Sequence, residues 1–221
     1  MVQSYREFAK PSGLLGQYIQ HGQLAKRIGN ILFIHGALPL NENSTGAFDF
    51  PIPWQVNSTI DNLDDWIEEL NKFTAQEYSS WKESATEYSE ERRPLPIWAT
   101  LGGYNTGIGG GNLMQYGMGF LPGRTKNPTV VYNTWPHENV LNNAEMARFF
   151  QENNLQLIVT GHQPHGDSPF CVKVNHEPNY FIISADTSYS GDVKWQSTSS
   201  TNFIGRGKSM SGRGELAVRC V

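Results

Sequence analysis

Cysteine is nearly absent: Cys171 and Cys220 are far apart and show no CxxC spacing. Such a pair favours reduced, packed thiols over a disulfide. No apolar run approaches the roughly 18 residues of a membrane span. The opening Met1-Val2-Gln3-Ser4-Tyr5-Arg6-Glu7 has no apolar signal-peptide core. A soluble, cytoplasmic protein is therefore expected, with no membrane partner. Neither sign of charge dominates, with 21 acidic against 17 basic residues, so nothing draws the chain to nucleic acid or an anionic surface. A G-x-S-x-G elbow is also missing around Ser168 and Ser190, which argues against a serine hydrolase.

What is present is a pair of short apolar runs, each ending in histidine. Leu155-Gln156-Leu157-Ile158-Val159 is too brief for a helix and reads as a buried strand, followed through Thr160 by Gly161-His162, with His165 three residues on. Ile31-Leu32-Phe33-Ile34 repeats the pattern, with His35 at its end and Gly36 turning the chain without crowding the imidazole. A lone histidine beside glycine reads as an ordinary hydrogen-bonded residue. Two at strand ends point to one shared site, because imidazole is the commonest protein ligand for a divalent ion and ligands converge from separate loops.

Along the rest of the chain, Pro11-Ser12-Gly13 ends a first helix near Lys10, and Gly29-Asn30 suits a turn. The Pro-rich segment from Phe50 to Trp54 excludes a helix there. Leu63, Trp66, Ile67, Leu70 and Phe73 repeat at helical spacing, and the helix can run on through Tyr78, Trp81 and Tyr88 until Pro94. Gly102 to Gly123 reads as a flexible or closely packed loop rather than a phosphate nest, since it lacks a Lys-Ser/Thr pair. Residues 128–133 read as a strand by their β-branched run. With a helix from Ala144, capped by Asn143, and the strand before His162 they predict a βαβ unit. Phe170–Asn175 and Tyr180–Ala185 predict a hairpin. Residues 214–221 read as a terminal strand, while His137 and His176 suit surface or hydrogen-bonding roles.

The segment Phe33-Ile34-His35-Gly36-Ala37-Leu38-Pro39 resembles the HGG-L-P motif of calcineurin-like metallophosphoesterases. Val159-Thr160-Gly161-His162-Gln163-Pro164 resembles their GH-x-P motif, and Tyr180 to Thr187 resembles the following strand that ends in Asp-Thr. In order and spacing these are closest to the phosphoprotein-phosphatase branch and its Shewanella-like relatives, over roughly Gly22 to the C-terminus. The resemblance implies an α/β fold of mixed sheets flanked by helices, corresponding to the C-terminal half of the two-sheet metallophosphoesterase sandwich. It implies one domain over 1–221, with residues 41–125 as an insertion carrying a helix and the Gly-rich loop. It implies metal-dependent hydrolysis of phosphate monoesters with Mn, Fe or Zn, and a phosphorylated substrate as partner. His35 and His162 would be metal ligands, Gly36, Gly161 and Asp186 would support them, and His165 would sit just behind the ligands or meet the phosphate.

The family's earlier Asp-x-His, Gly-Asp and Asn-His-Glu motifs have no counterpart, since residues 1–30 contain no Asp. Incomplete metal binding and weak activity are therefore expected. Where the family has W-x-R, Trp98 is followed by Ala99 and Thr100, leaving Arg92, Arg93 and Arg124 as phosphate-binding candidates. A non-catalytic binding or regulatory domain on the same half-fold is the alternative.

Overall fold

The computed structural model describes residues 2–39, 41–42, 48–52, 59–86, 109–119, 127, 129–135, 140–141, 144–162, 169–174 and 179–186. His165, Arg92, Arg93, Arg124, His137, His176 and Cys220 lie outside them, as does the strand expected over 214–221. The described chain is mixed α/β. In order it forms α1 (Val2–Ala9), α2 (Leu14–Gln20), β1 (Ala25–Ile28), β2 (Ile31–Ile34), β3 (Asn41–Glu42), β4 (Phe48–Pro51) and β5 (Thr59–Ile60). There follow α3 (Leu63–Thr86), α4 (Gly111–Tyr116), β6 (Val140–Leu141), α5 (Ala144–Glu152), β7 (Leu157–Thr160), β8 (Phe170–Val174) and β9 (Tyr180–Ser184). Two compact units divide the chain, one of Met1–Leu24 and Asp49–Pro128, the other of Ala25–Phe48 and Thr129–Val221.

The second unit is built on a six-stranded sheet ordered β1-β2-β7-β9-β8-β6. β2, β7 and β9 are parallel neighbours, whereas β1 pairs antiparallel with β2, and β8 with β9. The β1–β2 hairpin was not legible as such. Its two-residue Gly29-Asn30 loop takes the positive φ such tight hairpins demand, with Gly29 at +60°. Along the sheet the pleat sorts side chains by face. Leu32, Ile158, Ile182 and Val172 align across four strands in one fully buried row. On that face α5 contributes Phe150, whose ring stacks on Tyr180 at 5.0 Å between centroids. The opposite row, Phe33, Val159, Ile183 and Cys171, is covered less completely, with Phe33 37% exposed.

Three expectations for this unit change. Residues 129–133 form a turn, because buried Thr129 recaptures the backbone: its Oγ1 accepts from the N–H groups of Val131 and Tyr132, and its carbonyl accepts from Asn133 N–H at 3.0 Å. A local hydroxyl cap outcompetes the β-branched propensity of Val130 and Val131. The expected βαβ unit therefore does not form. β7 lies between β2 and β9, and the strand that precedes α5 is β6 at the far edge of the sheet. β7 also begins at Leu157, later than the apolar run suggests, because Asn154 and Leu155 end α5. Asn154 sits at φ +50° with its N–H donated to Gln151 O, and Leu155 N–H goes to Phe150 O. That hydrogen-bond pair is the Schellman termination of a helix.

In the first unit α3 buries the stripe Leu63, Trp66, Ile67, Leu70, Phe73 and Tyr78. Asn62 caps it: its Oδ1 accepts from the N–H groups of Asp64 and Asp65, whose carboxylates sit in the first turn. Trp66 stacks on Phe50 at 4.8 Å and donates its indole N–H to Pro51 O. Within the Gly-rich stretch, residues 111–116 are the helix α4, which packs on α3 through Phe73 and Tyr116. Glu77 receives both the backbone and side-chain N–H of Asn112. A Cβ on Gly109 would fall 2.0 Å from the carbonyl of Ser80, so this glycine serves close packing.

Candidate functional site

Because β2, β7 and β9 are adjacent and parallel, their carboxyl ends share one edge, the usual position of a reactive group in an open sheet. His35 follows β2, Gly161-His162 follows β7, and Ala185-Asp186 follows β9. The ladder continues one step past each strand. Gly161 N–H donates to His35 O at 2.7 Å, and Ala185 N–H donates to Thr160 O at 2.8 Å. Backbone pairing thus fixes three polar side chains from distant parts of the sequence at neighbouring strand ends.

The imidazoles of His35 and His162 lie side by side, ring centroids 5.4 Å apart and tilted by 57°. His35 is exposed, while His162 and Asp186 are half-buried. His162 adopts φ +69°, a left-handed conformation that costs a β-carbon residue roughly 1–2 kcal/mol. Burial, and then the positive potential of His35, hold the His162 imidazole below its ordinary 6.5, with Asp186 pulling weakly the other way. The neutral ring keeps a nitrogen lone pair for a ligand or proton.

Gly36 is required for a reason different from the turn expected of it. A Cβ there would stand 2.5 Å from Asn133 O and 2.9 Å from Val130 O. Val130 O accepts from Gly36 N–H, Asn133 O accepts from Ala37 N–H at 2.9 Å, and Asn133 Nδ2 donates to Leu38 O at 2.9 Å. Gly161 is less constrained, since a Cβ would meet His35 at 3.6 Å, ordinary contact. Tyr132, which sequence reasoning passed over as part of a strand, places its ring 4.7 Å from that of His162. Its position follows from the Thr129 turn, and no spacing rule in the sequence marks it.

Five of the residues expected at the site, His35, Gly36, Gly161, His162 and Asp186, thus gather at one sheet edge. His165, Arg92, Arg93 and Arg124 lie outside the described residues. Among the described residues no group of three or more His, Cys, Asp or Glu side chains is placed to hold a metal ion. The imidazole pair can supply two donors, and among the described residues the remainder of a coordination shell is not assembled there. No protein-family model, curated protein or solved structure matches this chain.

Proposed function

We propose that this unit carries the histidine part of a divalent-metal site that acts on phosphate esters, on a half-fold of the calcineurin-like metallophosphoesterase type. The observation that supports it is the meeting of His35 and His162 at adjacent parallel strand ends, ring centroids 5.4 Å apart. His35 and His162 would hold the ion. Asp186, beyond β9, would add negative potential that favours a cation, or orient an imidazole from behind. When bound, a divalent ion polarises a phosphoryl oxygen and offsets its developing charge. The protein's own part is to lower the proton affinity of His162 by burial, so that a proton competes less with the ligand.

Two imidazoles without bridging carboxylates hold an ion weakly, and little turnover is expected from this chain alone. A second reading, a binding or regulatory domain in which the same edge captures a ligand without hydrolysing it, also fits the two donors that the described residues bring together there. Melting scans with and without millimolar Mn²⁺, followed by p-nitrophenyl phosphate hydrolysis, separate the two. Metal-linked function predicts a higher melting temperature with Mn²⁺ that disappears in His35→Ala and His162→Ala. A melting temperature indifferent to Mn²⁺, Zn²⁺ and Fe²⁺ would sink it.

A further inference from the structure

His162 touches two rings, and the nearer belongs to a residue with no ligand role in the proposed site. Tyr132 approaches to 4.7 Å between centroids, against 5.4 Å for His35, with a 57° tilt in each case. The turn that carries Tyr132 is fastened to the strip after β2. Gly36 N–H and Ala37 N–H donate into the carbonyls of Val130 and Asn133, and the Asn133 amide donates to Leu38 O. The missing Cβ at Gly36 permits that approach, and the Thr129 hydroxyl and carbonyl close the turn internally. The His35 segment and the Tyr132 turn are thereby tied into one piece.

His162 has the opposite character. It lies two residues past the end of β7 in a left-handed conformation, a backbone state that L side chains adopt sparingly, so its ring stands outside the alternating pleat that orients side chains along the strand. We propose that Tyr132 is a positioning residue: its ring fixes the orientation of the His162 imidazole beside that of His35, and the Thr129–Asn133 turn delivers it. The positioning claim stands on this geometry alone. Its consequence for ion affinity rests on the proposed metal reading.

Tyr132 is 43% exposed, so its replacement leaves the core intact. The wild-type protein provides the first test, because nuclear Overhauser contacts between the Tyr132 and His162 ring protons are required, and their absence overturns the proposal. Tyr132→Leu should remove the tyrosine's share of the ring-current shift at the His162 ring protons and turn its χ1 couplings from a single rotamer to an average. Tyr132→Phe should restore both. A single unchanged His162 rotamer in Tyr132→Leu would overturn the proposal even if the shift were lost. In a Ni²⁺ titration, Tyr132→Leu should bind about two- to tenfold more weakly and Tyr132→Phe within about twofold of wild type, the scale of one aromatic contact. If wild type binds no Ni²⁺, the metal reading fails, while the couplings still decide the role of Tyr132.

Discussion

Two glycines flank the imidazole pair, yet only one is sterically obligatory. At Gly36 an added methyl meets two backbone carbonyls at 2.5 and 2.9 Å, which cannot yield as a flexible side chain would. Gly36→Ala should therefore destabilise the protein by about 1–3 kcal/mol in urea denaturation, in the range of overpacking. Gly161→Ala meets only ordinary contacts and should stay within about 1 kcal/mol of wild type. The strand-end His-Gly and Gly-His pairs were readable from the sequence, but this difference was not. It depends on carbonyls about a hundred positions away, and no local pattern announces them.

His162 carries a pH signature whose sign follows from its environment. Its folded-state ionisation lies below the ordinary 6.5, so between those two values the unfolded chain binds more protons than the folded one. The stabilisation is full above about pH 6.5, declines as pH falls through that window, and is flat below the folded value. Equilibrium unfolding across pH 4.5 to 8 should show this decline, reduced in His162→Gln. An unaltered slope in that variant would place the titration elsewhere.

Helix ends decide where the elements start. Asn62 caps α3 through two N–H groups, and Asn62→Ala should cost about 1 kcal/mol, measured by chemical denaturation. At the other end of the logic, Asn154 occupies the left-handed position of the Schellman termination before β7. Asn154→Gly should raise stability by a few tenths to about 1 kcal/mol, since glycine takes that conformation without a steric penalty. The α3 stripe, β2 and the β8–β9 hairpin were legible because their periodicity is decided by burial of one face. The strand expected over 128–133 failed because one buried threonine supplies the hydrogen bonds that a sheet neighbour would otherwise have supplied. Side-chain capture of backbone groups has no period, and so leaves no trace in a hydrophobic pattern.

At the scale of the molecule, the described residues of the candidate site all belong to the unit of Ala25–Phe48 and Thr129–Val221. Among the described residues, no helix is long and apolar enough to cross a membrane. The sequence identified which strand ends would converge, because apolar runs with histidine at their tips are visible one at a time. It did not reveal the order β2-β7-β9, which is set by pairing between segments remote in the chain. Asn30 and Gln156, the residues just before β2 and β7, illustrate the distance: the Asn30 side-chain amide donates to that of Gln156 at 2.6 Å across 126 positions.

That pairing dictates a sequence of events as well as a shape. The two imidazoles become neighbours only after a very long segment of chain has been closed, an entropically costly step that late, non-local contacts alone repay. During refolding, the contact between the Tyr132 and His162 rings should therefore be regained after the helical circular dichroism signal of α3 has recovered, serving as a clock for the final closure.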